Sequence, residues 1–117
     1  MHELSIAQAL VEQVERVVLA EKASRANRVT IAVGALSGAD PEALRGAFPL
    51  VAEGTRAEGA ELVVEVVPAR VHCAACGAES VAANYFVGCA ACESRDVELV
   101  SGRELHIQSV EVEVEER

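Results

Sequence analysis

Tryptophan is absent from this chain, and aromatic residues of all kinds make up only 3% of its 117 residues. Apolar residues nevertheless account for 51% of the sequence, so the core must be built from aliphatic side chains. No uninterrupted apolar run approaches the roughly 20 residues that a membrane-spanning helix requires. The first residues also lack the basic segment of a secretory signal peptide. We therefore expect a cytoplasmic protein with one domain, or one small domain with an added module.

Positive charge is also scarce, with 10 lysine and arginine residues against 19 aspartate and glutamate residues and a net charge of −9. Binding to a phosphate backbone relies on clustered cations, so the composition argues against nucleic acid as the main partner. The sequence also contains neither a glycine-rich phosphate loop nor an H-E-x-x-H zinc motif. We therefore do not expect an enzyme.

Two helices are predicted. Residues 5–23 carry apolar side chains at a helical period. Ser5 followed by Gln8 fits a capping box, which would leave Met1–Leu4 outside the helix. Asp40 as the N-cap with Pro41 at the first helical position indicates a second helix, because the missing N–H of proline costs nothing there.

Three longer strands are predicted at residues 28–36, 61–67 and 103–114, where apolar side chains alternate with others. The strand–helix–strand order over the first two permits a right-handed crossover with parallel strands. In the third strand the alternation slips near Gln108 and Ser109, which indicates either a β-bulge or a strand buried on both faces. The Cys-rich segment from about residue 72 to residue 96 therefore lies between two strands of one sheet.

Four cysteines form a C-x2-C-x12-C-x2-C array at Cys73, Cys76, Cys89 and Cys92. Two tight turns of this kind on a small hairpin give the closed tetrahedral site of structural zinc. Rubredoxin-type iron is the main alternative, since thiolates suit both metals. A redox dithiol is disfavoured, because neither pair begins a helix after a strand. The segment has few large apolar side chains to bury, so metal binding would supply the folding free energy that it lacks.

Other residues of the segment also carry expectations. Tyr85 and Phe86 are expected to pack over the hairpin, and Gly77 to supply a positive φ in its turn. His72 is expected to be a bystander beside Cys73, with replacement of a thiolate as its alternative role.

The first residues form a candidate chelator for a second metal. The α-amine of Met1, the backbone nitrogen of His2 and the Nδ1 atom of His2 can close adjacent five- and six-membered rings on one ion. The fourth donor is either Glu3, through its backbone nitrogen or its carboxylate, or a group from elsewhere in the protein. Planar, nitrogen-rich coordination is typical of Ni(II) or Cu(II).

The sequence resembles the HypA/HybF family of hydrogenase-maturation nickel metallochaperones. The resemblance rests on MHELSIAQALV, VTIAVGALSGADPEAL, GTRAEGAELVVE, the four-cysteine array and GRELHIQSVEVE, which together span the chain in order. It implies an α+β fold with two helices on a small mixed β-sheet of three strands and a projecting zinc-ribbon-like module. The second turn departs from the family pattern, with Ala90 in place of proline and Glu93 in place of glycine.

The resemblance also implies roles for individual residues. His2 is the expected Ni(II) ligand, with the Met1 amine and Glu3 as helpers, and the four cysteines are the expected structural zinc ligands. The expected partners are the accessory GTPase of the same pathway and the precursor of the [NiFe]-hydrogenase large subunit, with no nucleic acid and no membrane.

We expect a nickel-binding α/β body at residues 1–69 plus 101–117 and a zinc-binding module at residues 70–100. The alternative function is a zinc-ribbon module that binds nucleic acid. The number of subunits stays open, with a homodimer as one arrangement, and so does the final nickel acceptor, a hydrogenase alone or also urease.

Overall fold

The computed structural model describes residues 2–82 and 88–114. In this part of the chain, two helices lie at α1 (Glu3–Ala20) and α2 (Pro41–Ala52). The six strands are β1 (Arg25–Gly34), β2 (Glu61–Val67), β3 (Arg70–Cys73), β4 (Glu79–Val81), β5 (Val97–Ser101) and β6 (Leu105–Glu113). They form two sheets, one in the order β2-β1-β6 and one in the order β4-β3-β5.

The first sheet is mixed, as the sequence predicts. Strand β1 pairs in parallel with β2 and antiparallel with β6. The bounds of β2 match the prediction, because its run of β-branched residues ends at Pro68. Strand β1 begins three residues earlier than predicted, because Arg25 and Ala26 pair with the distant residues Glu113 and Val112.

A β-bulge at Gln108 explains the phase slip in β6. Thr30 pairs with Ser109 and Ile31 pairs with Ile107, so Gln108 is left without a partner in β1. The extra residue returns the strand to the same face, and Ile107 and Val110 both pack against the core. The bulge interpretation is therefore confirmed, and the two apolar sets do not face opposite sides.

One aliphatic core lies between the helices and the first sheet. Its largest fully buried side chains come from both helices and from the central strand β1: Phe48, Leu44, Val14, Val18, Ile31, Val29 and Val33. Burial of one such side chain contributes about 1.5 to 3 kcal/mol relative to exposure. Strand β1 therefore contributes the central strand of the shared core.

The second helix begins as predicted. Oδ1 of Asp40 accepts a hydrogen bond of 3.0 Å from the backbone N–H of Glu42, and Pro41 occupies the first helical position. The helix ends at Ala52, before Gly54, whose φ is +80°. The Asp40 cap therefore fixes the helix end that faces the N-terminus of α1.

The predicted start of the first helix is wrong. Helix α1 begins at Glu3 with His2 as its N-cap, and Ser5 lies inside the helix rather than at its cap. Glu3 and Leu4 are therefore helical, not outside the helix. The helix also ends earlier, at Ala20, where Lys22 takes a left-handed φ of 55°.

Two glycines allow the sheets to meet closely. A Cβ atom on Gly34 would lie 2.1 Å from the carbonyl oxygen of Gly102. That same oxygen accepts a hydrogen bond of 2.6 Å from the backbone N–H of Leu36. Leu36 in turn packs against a second small cluster at Ala69, Val71 and Ala82. Residues 34–36 therefore connect the helix-bearing sheet to the cysteine-bearing sheet.

Candidate metal centres

The four cysteines converge on one point. Strand β3 ends at Cys73, a tight turn brings Cys76 back, and the turn at Cys89–Cys92 precedes β5. All four sulfur atoms lie within 4.8 Å of one another. The Cys73–Cys92 and Cys76–Cys89 sulfur pairs are each 3.6 Å apart. Four sulfurs at the usual Zn–S distance of about 2.3 Å form a tetrahedron with edges of about 3.8 Å, so this donor set fits zinc.

Backbone donors lower the proton affinity of one thiol in the cluster. The N–H groups of Cys92 and Ala91 each donate to the Cys89 sulfur at 3.4 Å. Donation from Cys92, followed by that from Ala91, lowers the pKa of Cys89 to about 6, although burial opposes the shift. The turn at Cys89 therefore favours the thiolate form, which is the form that binds a metal.

The pKa of the Cys92 thiol is raised rather than lowered. The Ser94 N–H lowers the pKa of Cys92, but hydrogen bonding with the Cys73 and Cys89 sulfurs outweighs it and raises this pKa to about 12. Four crowded thiols cannot all lose their protons unless positive charge enters between them. The cluster therefore has the electrostatics of a cation site.

The two cysteine turns share one backbone design. Gly77 donates its N–H to the carbonyl of Cys73 at 2.8 Å, and Glu93 donates its N–H to the carbonyl of Cys89 at 2.9 Å. Both residues have positive φ, +78° for Gly77 and +64° for Glu93. The role expected for Gly77 is confirmed. The departure at Glu93 keeps the turn but puts a side chain in a conformation that glycine adopts more easily.

The structure does not place His72 among the thiolates. Cys73 and Val71 are buried, whereas His72 is exposed between them. Side chains of neighbouring residues in a strand point to opposite faces, so His72 and Cys73 lie on opposite faces of the second sheet. Tyr85 and Phe86 lie outside the described residues, so their packing over the hairpin stays a prediction.

The candidate nickel ligands lie at the start of α1. His2 is exposed, and its carbonyl accepts the first intrahelical hydrogen bond from Ile6 at 2.9 Å. The N–H group of His2 consequently has no acceptor within the helix. Met1 lies outside the described residues.

Glu3 lies under the helix end rather than in solvent. It is only 8% exposed, and its Oε2 atom accepts a hydrogen bond of 3.0 Å from the backbone N–H of Asp40. The contact joins the N-termini of the two helices across 37 positions of sequence. Sequence reasoning missed this role of Asp40, because a helix cap gives a local signal but a contact with residue 3 does not.

The third histidine lies on another surface. His106 pairs with Ala32 in the ladder between β6 and β1. Ile31, next to Ala32, is buried in the core, so Ala32 and His106 belong to the sheet face away from the helices. The structure therefore does not bring His2, His72 and His106 together.

A closed cluster of four thiols and an exposed N-terminal histidine on a helix–sheet body define a small metal-binding protein. A family model described as HypA, hydrogenase/urease nickel incorporation metallochaperone, matches residues 1–112. The chain belongs to this family of metallochaperones, so it acts in metal incorporation and is not an enzyme.

Curated relatives support the same assignment. The hydrogenase maturation factor HypA of Acidithiobacillus ferrooxidans is 39% identical over 113 residues, covering 97% of this chain and 100% of the relative. The factor of the same name from Chlorobium limicola is 42% identical over 113 residues and covers 97% of each chain.

Two solved structures share the fold. A solution structure of a HypA protein has a TM-score of 0.72 at 25% identity and covers 98% of each chain. A solution structure of the nickel metallochaperone HypA from Helicobacter pylori has a TM-score of 0.69 at 24% identity, covering 98% of this chain and 100% of that one. The predicted α+β architecture is therefore confirmed. No helix within residues 2–82 and 88–114 has the length and apolar character needed to cross a membrane.

Proposed function

We propose that this chain binds Ni(II) at its N-terminus and delivers it for [NiFe]-hydrogenase maturation, while the four cysteines hold a structural zinc ion. The observation that carries the nickel site is the start of α1 at Glu3 with His2 as its N-cap. A metal can displace the proton of a backbone amide most easily where that amide is not already bonded within a helix. The helix start leaves the His2 amide in that condition.

The donors at this end favour nickel by their geometry. The Met1 amine and the His2 amide nitrogen close a five-membered ring on the metal, and the amide with Nδ1 of His2 closes a six-membered ring. Three nitrogens then lie in one plane, which is typical of Ni(II) or Cu(II) coordination. The exposure of His2 leaves the ion accessible to a partner that receives it.

Glu3 has two roles open to it in this proposal. Its backbone nitrogen can complete the plane while its carboxylate stays on the Asp40 N–H. Alternatively, the carboxylate leaves that contact and binds the metal itself. The first role keeps the contact with Asp40, so we favour Glu3 as a backbone donor whose carboxylate positions the helix start against α2.

The four cysteines support structural zinc rather than a catalytic site. Their sulfur separations fit a closed tetrahedron, which leaves no coordination position for a reacting water. Ions of this kind supply folding free energy to segments with few apolar side chains.

The partners follow from the family rather than from a surface of the fold. We propose that the accessory GTPase of the pathway and the hydrogenase large-subunit precursor bind this chain or accept nickel from it. We also propose that this transfer occurs in the cytoplasm. The alternative of a nucleic-acid-binding zinc ribbon gains no support, because the relatives reported above are maturation factors and the net charge is −9.

Calorimetric titration of Ni²⁺ into zinc-loaded protein tests the proposal. His2→Ala should abolish high-affinity nickel binding and leave the zinc content unchanged. His106→Ala is the matched control, since it also removes one imidazole but from the far face of the first sheet, and it should bind nickel like the unmodified protein. Equal nickel affinity in His2→Ala and the unmodified protein would rule out the N-terminal site.

A further inference from the structure

The outer face of the second sheet carries a histidine between two carboxylates. In β3, Val71 and Cys73 are buried and His72 is exposed. His72 pairs directly with Glu79 of β4 on one side and with Glu98 of β5 on the other. Directly opposed residues of antiparallel strands have Cβ atoms about 4.5 to 5.5 Å apart on the same face. The imidazole therefore stands in the middle of a row with one carboxylate on each side.

We propose that His72, Glu79 and Glu98 form a second, solvent-exposed site for a divalent metal ion, distinct from the four-cysteine cluster. One imidazole nitrogen and two carboxylate oxygens suit Ni(II), Zn(II) and similar ions, with water completing the coordination. The site and the cysteine cluster lie on opposite faces of β3, so one ion cannot use both. Its donors are also separate from those at the N-terminus, so its failure leaves the proposed function untouched.

The three donor side chains must rotate towards one another to bind an ion. Among the described residues, only the four cysteine sulfurs already converge on a common point. Glu79 forms an ion pair with Arg70, whose Nε atom lies 4.0 Å from Oε1 of Glu79. Arg70 shares the outer face with His72, two positions away in β3, so it competes with a cation for this carboxylate. The site is therefore weaker than the chelating N-terminus.

The other two histidines lack this arrangement. His106 lies on an edge strand of the first sheet and has Ala32 as its directly opposed neighbour. His2 caps a helix. A cross-strand row of carboxylate, imidazole and carboxylate thus occurs at one of the three histidines of the sequence.

The magnetism of nickel separates the two sites in one experiment. A planar, nitrogen-bound Ni(II) is diamagnetic, whereas Ni(II) with oxygen and water ligands is octahedral and paramagnetic. The probe is Ni²⁺ titrated beyond one equivalent into the zinc-loaded full chain, with amide NMR signals as the readout. We expect broadening centred on residues 72, 79 and 98, with the second equivalent rather than the first.

Variants decide the assignment. His72→Asn and the isosteric Glu98→Gln should each weaken this broadening by about tenfold or more in nickel concentration, since even outer-shell losses cost about that much. Arg70→Gln should strengthen it, and the matched control His106→Asn should not change it. Unchanged amide spectra before nickel show that each variant is folded. Broadening centred elsewhere, or equal broadening in His72→Asn, would overturn the site.

Discussion

Replacing Gly77 with alanine should weaken zinc binding at the cysteine cluster by about 1 to 2 kcal/mol, the usual cost of a left-handed conformation for a residue with a Cβ atom. The φ of Gly77 is +78°, and an added Cβ would meet no heavy atom within 4 Å. The substitution therefore adds backbone strain without a steric clash. Because metal binding and folding of such segments are coupled, this strain lowers the metal affinity by about 5- to 30-fold.

A glycine in the second cysteine turn, at position 93, should strengthen zinc binding rather than weaken it. Glu93 already has a positive φ of +64°, so Glu93→Gly removes strain that the turn now carries. Glycine also loses about 0.5 to 1 kcal/mol more conformational entropy on folding than other residues. The net effect is tighter zinc binding, by less than the loss expected for Gly77→Ala.

A chromophoric chelator that competes for Zn²⁺ at fixed pH measures both effects. Gly46→Ala is the matched control, because this exposed helical glycine has open space at its Cβ position and lies outside the cysteine turns. The reasoning is refuted if Gly77→Ala holds zinc as tightly as the unmodified protein, or if Glu93→Gly holds it less tightly.

Three other changes test separate parts of the account. Cys73→Ser should lower the zinc content and remove hydrogen-exchange protection from residues 72–96 while the helix–sheet body persists, and equal loss of protection in the first sheet would mean one cooperative unit. Glu3→Gln should weaken nickel binding by about 10- to 100-fold in calorimetry, less than loss of the imidazole, because glutamine keeps an acceptor for the Asp40 N–H; a loss as large as that of the imidazole variant would make the carboxylate a ligand. Gly34→Ala should destabilise the fold by about 1 to 3 kcal/mol or more in urea unfolding, because its Cβ would lie 2.1 Å from the Gly102 oxygen; an unchanged midpoint would contradict the close approach.

Features with a local cause were predictable from the sequence. The Asp40–Pro41 pair marks a helix start through capping and a fixed φ, and both act within three residues. The spacing of Cys73 and Cys76 indicates a metal turn because two intervening residues bring the sulfurs together. The slip near Gln108 was also readable, since an inserted residue changes the alternation within the same strand.

Features with a distant cause were not predictable. The Ser5–Gln8 pattern satisfies the capping rule, but α1 begins at Glu3, where the buried carboxylate meets the Asp40 N–H. The end of α1 is set by Lys22 in a left-handed conformation, where glycine is the usual residue.

The cysteine segment shows the same limit. A hairpin was expected there, and a sheet of three strands forms because β5 pairs with β3 as well. The faces of His72 and Cys73 became clear only with that pairing. The division into a body and a module at residues 70–100 stays a prediction.

The proposed nickel site depends most on the free amine of Met1, and one added residue tests that ligand most directly. A glycine placed before Met1 keeps every side chain of the protein but moves the amine out of the five-membered ring. Calorimetric titration of Ni²⁺ should then show loss of high-affinity binding, with the zinc content matched to that of the native-start protein. Nickel binding as tight as that of the native start would show that the amine is not a ligand and that the site is built without it.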